Sequence, residues 1–220
     1  MYMTDTKLTD TNSYTFPFDT CEKPREKGIA QPYSAFFNAI NCIIIFYFLC
    51  QTKNKYTFSL LFSILCFELF HTFSHCIHIK GNIQTNVTHI LTYFINIAFF
   101  YVFYNYTKKI PSITFILYII ILVFFDIYSF FNLPLIFYIL SQAIIMISLL
   151  YYYYKLMPAR IQKNMYSLIF LICLIIILFI NEKYNSKKML SLYPHFPFHI
   201  LIEIVGIVLF YLVSSSFYKL

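Results

Sequence analysis

Long apolar runs separated by short polar gaps are the feature of this sequence that most constrains its fold. An α-helix rises about 1.5 Å per residue, so about 20 apolar residues are needed to cross the roughly 30 Å of hydrocarbon in a bilayer. Runs of about this length follow one another after a polar tail at residues 1–32, and they cover residues 33–50, 56–79, 85–106, 110–131, 133–154, 165–181 and 193–215. We therefore predict an all-α integral membrane bundle of seven transmembrane helices, which occupies residues 33–220 as a single domain.

The composition excludes a soluble globular domain. Of the 220 residues, 60% are hydrophobic and 11% are charged, whereas soluble domains are about half apolar and about a quarter charged. The net charge of +7 comes mostly from basic residues in the gaps between the runs, where they would lie beside anionic lipid head groups. We therefore predict membrane lipids, and no nucleic acid, as partners.

The basic residues are unevenly divided between the two sides of the predicted bundle. The gaps after the first, third and fifth runs and the C-terminus contain no acidic residue. Their basic residues are Lys53, Lys55, Lys108, Lys109, Lys155, Arg160, Lys163 and Lys219. The gaps on the other side carry Lys80, Lys183, Lys187, Lys188 and Glu182. Because basic loops stay in the cytosol, this predicts a cytosolic C-terminus and an N-terminus in a lumen or outside the cell. Basic residues at positions 23, 25 and 27 of the tail favour the opposite orientation.

Ionisable side chains within the second run are the first functional signal, because such groups are expensive to bury in hydrocarbon. The segment FELFHTFSHCIHIK contains Glu68, His71, His75 and His78 at spacings of three, four and three residues. Residues at these spacings share one face of a helix, and Ser74 lies beside them.

The seventh run begins with a similar pattern. Its segment YPHFPFHILIEIVG places His195, His199 and Glu203 at successive spacings of four residues. His89 opens the third run, and Asp126 lies late in the fourth, where we interpret it as a residue at the end of its span. Because successive helices run in opposite directions, all six histidines are predicted to fall in one layer on the N-terminal side of the membrane.

A layer of histidines from several helices favours a metal site. Two histidines four residues apart on a helix can present two imidazole nitrogens to one zinc ion. A third histidine from another helix completes the set of three and leaves an open position for water. Zinc lowers the pKa of that water toward about 7 and so supplies hydroxide. The alternative is a layer of histidines that hydrogen-bond between helices, but their number and pairing favour Zn²⁺ as a cofactor.

Three segments of the chain resemble alkaline ceramidases and the wider superfamily of seven-helix membrane hydrolases that includes the progestin and adipoQ receptors. The segments are DTCEKPREKGIAQPYSAFFNAIN at 19–41, LFHTF at 69–73 and HFPFHIL at 195–201. In that family, one histidine of the second helix and an HxxxH pair of the seventh hold a zinc ion. The resemblance therefore implies His71, His195 and His199 as metal ligands. Members of the family hydrolyse amide bonds, so the resemblance also leaves His75 or His89 to accept a proton from the zinc-bound water and return it to the amine that is released.

The chain lacks two residues that the family has close to the zinc-bound water. The family has a serine four residues before the second-helix histidine, where this chain has Phe67. Choosing His78 as the ligand instead would restore that serine as Ser74. A third-helix aspartate of the family helps to hold the water, and the nearest candidate here is His89.

Acidic residues in or next to the matching segments have alternative roles. Asp19 and Glu22 match positions that bind calcium in some alkaline ceramidases, but a lysine and a proline at positions 23 and 24 interrupt the pattern, so no calcium site is predicted. Glu68 and Glu203 each lie about 15 Å deep. Either one of them orients a histidine through Nδ1, or the two pair with each other between helices in protonated form.

The function implied by the resemblance is hydrolysis of an amide bond in a membrane lipid, most simply ceramide to a sphingoid base and a fatty acid. One rival is a hydrolase of another lipid amide or ester, since the shape of an apolar cavity decides the substrate. The other rival is a receptor-like or otherwise non-catalytic protein with a structural zinc site. The missing serine and aspartate favour this second rival.

Overall fold

The computed structural model of the chain describes residues 22, 25, 27–77, 79, 81–193 and 198–220. These residues form seven α-helices and one short 3₁₀ helix, and none of them lies in a strand. The α-helices are α1 (Pro32–Gln51), α2 (Lys55–Cys76), α3 (Gly81–Thr107), α4 (Ile113–Asn132), α5 (Leu135–Tyr153), α6 (Ala159–Leu192) and α7 (Ile200–Phe217), and the 3₁₀ helix covers Tyr154–Leu156.

All seven α-helices of the described chain are long and apolar enough to cross a membrane. The prediction of an all-α bundle of seven transmembrane helices is therefore confirmed, and the chain is a multi-pass membrane protein.

Capping residues and a proline determine where several of the helices begin and end. The side chains of Asn54 and Ser112 accept hydrogen bonds from the first backbone N–H groups of α2 and α4, which would otherwise lack a partner. Pro134 separates α4 from α5, at the turn that the sequence predicts.

Four predicted runs are wrong at their ends on the N-terminal side of the membrane. The third run of the chain begins as a helix at Gly81 instead of residue 85. Residues 182–192, predicted as a loop, are the last turns of α6, because no glycine or proline interrupts the sequence from Ala159 to Leu192. The run 193–215 begins as a helix only at Ile200, since prolines at positions 194 and 197 disfavour a helix before it. The second run ends at Cys76, which leaves His78 beyond the helix and outside the described residues.

Six of these helices pack as a closed ring. In the ring, α1 packs against α2 and α7, α2 against α3, α3 against α5, α5 against α6, and α6 against α7. The remaining helix, α4, packs mainly against α5. Because neighbours in sequence run in opposite directions, the C-terminal halves of α2, α4 and α6 share one end of the bundle with the N-terminal halves of α3, α5 and α7.

The tightly packed hydrophobic core lies at the opposite end of the bundle. Its largest fully buried members include Leu60 at the start of α2, Phe103 and Tyr153 at the ends of α3 and α5, and Phe217 at the end of α7. The rings of Phe103 and Tyr153 stack with centroids 5.5 Å apart. Close packing of this end fixes the helices relative to one another. The other end carries the polar side chains.

Candidate metal centre

Two histidines of α2 and one glutamate of α7 meet at the polar end of the bundle. His71 and His75 lie one turn apart on the same face of α2, and their ring centroids are 4.8 Å apart. With Glu203 they offer three ligand atoms that lie within 4.8 Å of one another. His75 has no exposed surface, and Glu203 is 4% exposed. The three side chains therefore form one cluster supplied by two helices, in which His75 and Glu203 are buried and His71 is half-buried.

His199 joins this cluster from the N-terminus of α7. It stands at the N-cap position, one turn before Glu203, and its ring centroid is 6.0 Å from that of His75. Its Nδ1 lies 2.8 Å from Oε2 of Glu182, and its Nε2 lies 3.1 Å from Oε1 of Glu203. When Nδ1 donates its proton to Glu182, Nε2 carries the lone pair that a metal ion would take.

The donor atoms of this cluster suit zinc, which binds imidazole nitrogens and carboxylate oxygens in proteins. Two ligands at about 2.0–2.1 Å from a tetrahedral zinc ion lie about 3.3 Å from each other. The separation of 3.1 Å between His199 Nε2 and Glu203 Oε1 is close to that value. The residues that could hold one ion are therefore His71, His75, His199 and Glu203.

The predicted site residues have different places in this arrangement. His71 lies in the cluster, and His199 lies beside it in contact with Glu203. His75, predicted as a proton acceptor, stands among the candidate ligands. His195 lies outside the described residues, as do His78 and Asp19.

Glu182 is the residue of this site that sequence reasoning missed. It was assigned to a loop, but it lies in α6, is 2% exposed and contacts Nδ1 of His199. This is the orienting position that we predicted for Glu68 or Glu203. Glu68 instead accepts a hydrogen bond of 3.1 Å from Nδ2 of Asn41. The available signal was the uninterrupted helical sequence beyond residue 181, which carries Glu182 into the bundle.

An elongated cavity extends from the cluster into the bundle. Its first part, of about 270 Å³, is lined by His71, His199 and Glu203 at one end and by side chains of α3, α5 and α6. A second part, of about 210 Å³, is almost wholly apolar. The two parts share Phe67 and Gln142 among their lining residues, so they adjoin at these side chains.

A second polar cluster surrounds Asp126, between α3, α4 and α5. Asp126, which we interpreted as a residue at the end of its span, lies in the last two turns of α4 with its side chain fully buried. Its carboxylate accepts hydrogen bonds from His89 Nε2 at 3.1 Å and from Gln142 Nε2 at 2.7 Å, and also from the hydroxyls of Tyr93 and Ser141. His89, predicted as a catalytic histidine, therefore faces an aspartate of α4, and the rings of Phe130 and Tyr138 pack against it.

Comparison with known proteins finds no match to this chain among protein-family models, curated proteins or solved structures. The chemistry of the centre must therefore be inferred from its donor atoms, its burial and the cavity beside it.

Proposed function

We propose that the chain is a zinc-dependent hydrolase that cleaves an amide bond in a membrane lipid, with ceramide as the simplest substrate. The observation that carries the proposal is the position of the metal-competent cluster. His71, His199 and Glu203 line one end of a largely apolar cavity that runs between membrane-spanning helices. A few polar groups at the end of an apolar cavity suit a ligand with one polar linkage and a long hydrocarbon chain.

Each residue of the centre has a role in this reaction. Zinc, when bound, polarises the amide carbonyl and supplies hydroxide near neutral pH. Three of the side chains His71, His75, His199 and Glu203 would hold the ion, so that its fourth position stays open for water, and Glu182 holds His199 in place by accepting the Nδ1 proton. Glu68 lines the same cavity three residues from His71. Its carboxylate accepts a proton from water and returns it to the leaving amine, the role first predicted for His75 or His89.

Zinc content and lipid hydrolysis test this proposal together. Detergent-purified protein is expected to contain about one zinc ion per chain and to release fatty acid from ceramide. A chelator is expected to stop the release, and added zinc to restore it. Plasma mass spectrometry measures the metal, and lipid mass spectrometry measures the products. Lys108→Ala, at an exposed position far from the cluster, should match the wild type in both. Full activity in zinc-free protein would contradict the proposal.

The deeper part of the cavity is expected to hold the acyl chain. Along α7 the lining of the two parts together extends from Glu203 to Val213, which is about 15 Å and corresponds to about 12 extended carbons. Ala143→Phe would fill part of this space. We expect the variant to lose at least about tenfold in kcat/KM for a palmitoyl amide and little for a hexanoyl amide. The control is Ile144→Phe, since Ile144 is 42% exposed on the outer surface. Equal losses for both chain lengths in Ala143→Phe would contradict an acyl site here.

A non-catalytic role for the same zinc centre is the second candidate. It is favoured by Phe67, a phenylalanine that lines the cavity beside Glu68 and His71 where the hydrolases that the sequence resembles have a serine. A phenyl ring cannot hydrogen-bond a water molecule as a hydroxyl does. A protein with about one zinc per chain and no release of fatty acid from any ceramide would support this candidate over the hydrolase.

A further inference from the structure

The segment that precedes α1 crosses the C-terminal end of α2, where the candidate ligand His75 lies. The backbone N–H of Ala30 donates to the carbonyl of Cys76 at 3.2 Å, and that of Gln31 donates to the carbonyl of His75 at 2.9 Å. The last carbonyls of a helix have no partner within it. These bonds supply partners for two of them, so residues 30 and 31 are held against the turn that carries His75.

The side chain of Gln31 continues this contact to the imidazole ring. Its amide is buried, and Nε2 donates to the backbone carbonyl of Glu22 at 2.8 Å while Oε1 lies 2.7 Å from Nδ1 of His75. A backbone carbonyl can only accept a hydrogen bond, so the amide nitrogen must face Glu22 and the amide oxygen must face His75. Nδ1 of His75 is therefore the donor in this contact.

We infer that Gln31 is a positioning residue of the metal centre: it holds His75 as the tautomer protonated at Nδ1 and so leaves the Nε2 lone pair to bind the metal. A zinc-binding histidine commonly donates its other ring N–H to an acceptor that fixes its tautomer and orientation. The acceptor here is a neutral amide from outside the transmembrane helices. The metal-binding part of this inference rests on the proposed function, whereas the tautomer of His75 does not.

Glu22 anchors the same segment to α1. Its Oε1 accepts a hydrogen bond of 2.9 Å from the backbone N–H of Tyr33, and its Oε2 accepts bonds of 2.9 and 2.6 Å from the N–H and hydroxyl of Ser34. A carboxylate at the N-terminus of a helix is favoured by the helix dipole. Glu22, buried to 7% exposure, thus fixes the carbonyl that in turn orients the Gln31 amide.

Two substitutions of Gln31 separate its role as an acceptor from its role in packing. Gln31→Met keeps a side chain of similar length and removes the oxygen, whereas Gln31→Glu keeps an oxygen at the same position. In metal-free protein labelled with ¹⁵N-histidine, the ring-nitrogen shifts of His75 report its tautomer. We expect protonation at Nδ1 in the wild type and in Gln31→Glu, and a shift toward protonation at Nε2 in Gln31→Met. The His75 resonances are assigned by their loss in His75→Asn.

The zinc dissociation constant, measured by competition with a chelator, is the second readout. It is expected to rise about 10–100-fold in Gln31→Met and to stay near the wild-type value in Gln31→Glu. The control is Gln51→Met, at an exposed position at the end of α1. Protonation of His75 at Nε2 in the wild type, or an unchanged tautomer in Gln31→Met, would overturn the inference. If the wild type binds no zinc, the proposed function fails, but the tautomer still decides whether Gln31 holds His75 as described.

Discussion

His71→Ala is expected to weaken zinc binding by at least about a hundredfold, whereas His89→Ala should leave zinc affinity unchanged. Binding of zinc by three or four protein ligands is worth about 10–16 kcal/mol in structural sites, so each ligand contributes several kcal/mol. His71 lies in the cluster with His75 and Glu203. His89 lies in the other polar cluster, with its Nε2 facing Asp126. The two substitutions remove the same chemical group from the two clusters.

The two variants share a control for damage to the fold. Circular dichroism and size-exclusion chromatography show whether each remains a folded, monodisperse protein, and zinc affinity is compared only between variants that do. Fatty-acid release should fall with zinc affinity in His71→Ala and persist in His89→Ala. Equal loss of zinc in both variants would mean that the two clusters act as one site. Unchanged affinity in His71→Ala would remove this residue from the ligand set.

The transmembrane architecture could be predicted from the sequence because length and hydropathy alone decide which segments cross a bilayer. The ends of the helices could not be predicted in this way, because a polar residue near the membrane surface is compatible with either a helix or a loop. The turns of α6 beyond residue 181 are polar enough to be read as a loop, yet they are helical and bring Glu182 to His199. A buried acidic residue just beyond an apolar run is visible in the sequence only when the run is extended as a helix.

The end of the bundle at which His71, His75, His89 and His199 lie could be predicted, but the direction in which each side chain points could not. Thr88 and Thr92 of α3 line the cavity beside the candidate metal centre. His89 follows Thr88 directly, and one residue turns the side chain by about 100° around the helix axis. It therefore meets Asp126 of α4 and not the cluster. Single histidines without a repeating pattern on their helix give no rotational information, whereas the pair His71 and His75 defines a face.

The cluster around Asp126 has a structural role that follows from how α4 is packed. α4 packs mainly on α5 and presents most of its apolar residues outward. Asp126 is its one charged residue. The carboxylate binds His89 and Tyr93 of α3 as well as Ser141 and Gln142 of α5. In hydrocarbon, apolar side chains gain little from contact with each other over contact with lipid. Polar contacts with α3 and α5 therefore determine where α4 sits.

Asp126→Leu is accordingly expected to destabilise the bundle by about 3 kcal/mol, since each buried donor left without its acceptor costs about 1–3 kcal/mol. The substitution leaves the donors of His89 and Gln142 without their acceptor in a dry environment. Unfolding by a denaturing detergent, followed by circular dichroism, measures the change. The control is Tyr128→Leu on the outer face of α4, where the side chain is 56% exposed, and it should lie within about 0.5 kcal/mol of the wild type.

The double variant His89→Leu/Asp126→Leu decides between loss of a specific contact and general damage to α4. If the pair acts as a unit, the second substitution removes a donor that the first has already left unpaired. The double variant should then be less destabilised than the sum of the single variants by about 1 kcal/mol or more. Additive losses would mean that His89 and Asp126 contribute independently. Zinc affinity should be unchanged in all three variants, because this cluster holds the helices in place while the proposed metal ligands lie in the cluster of α2 and α7.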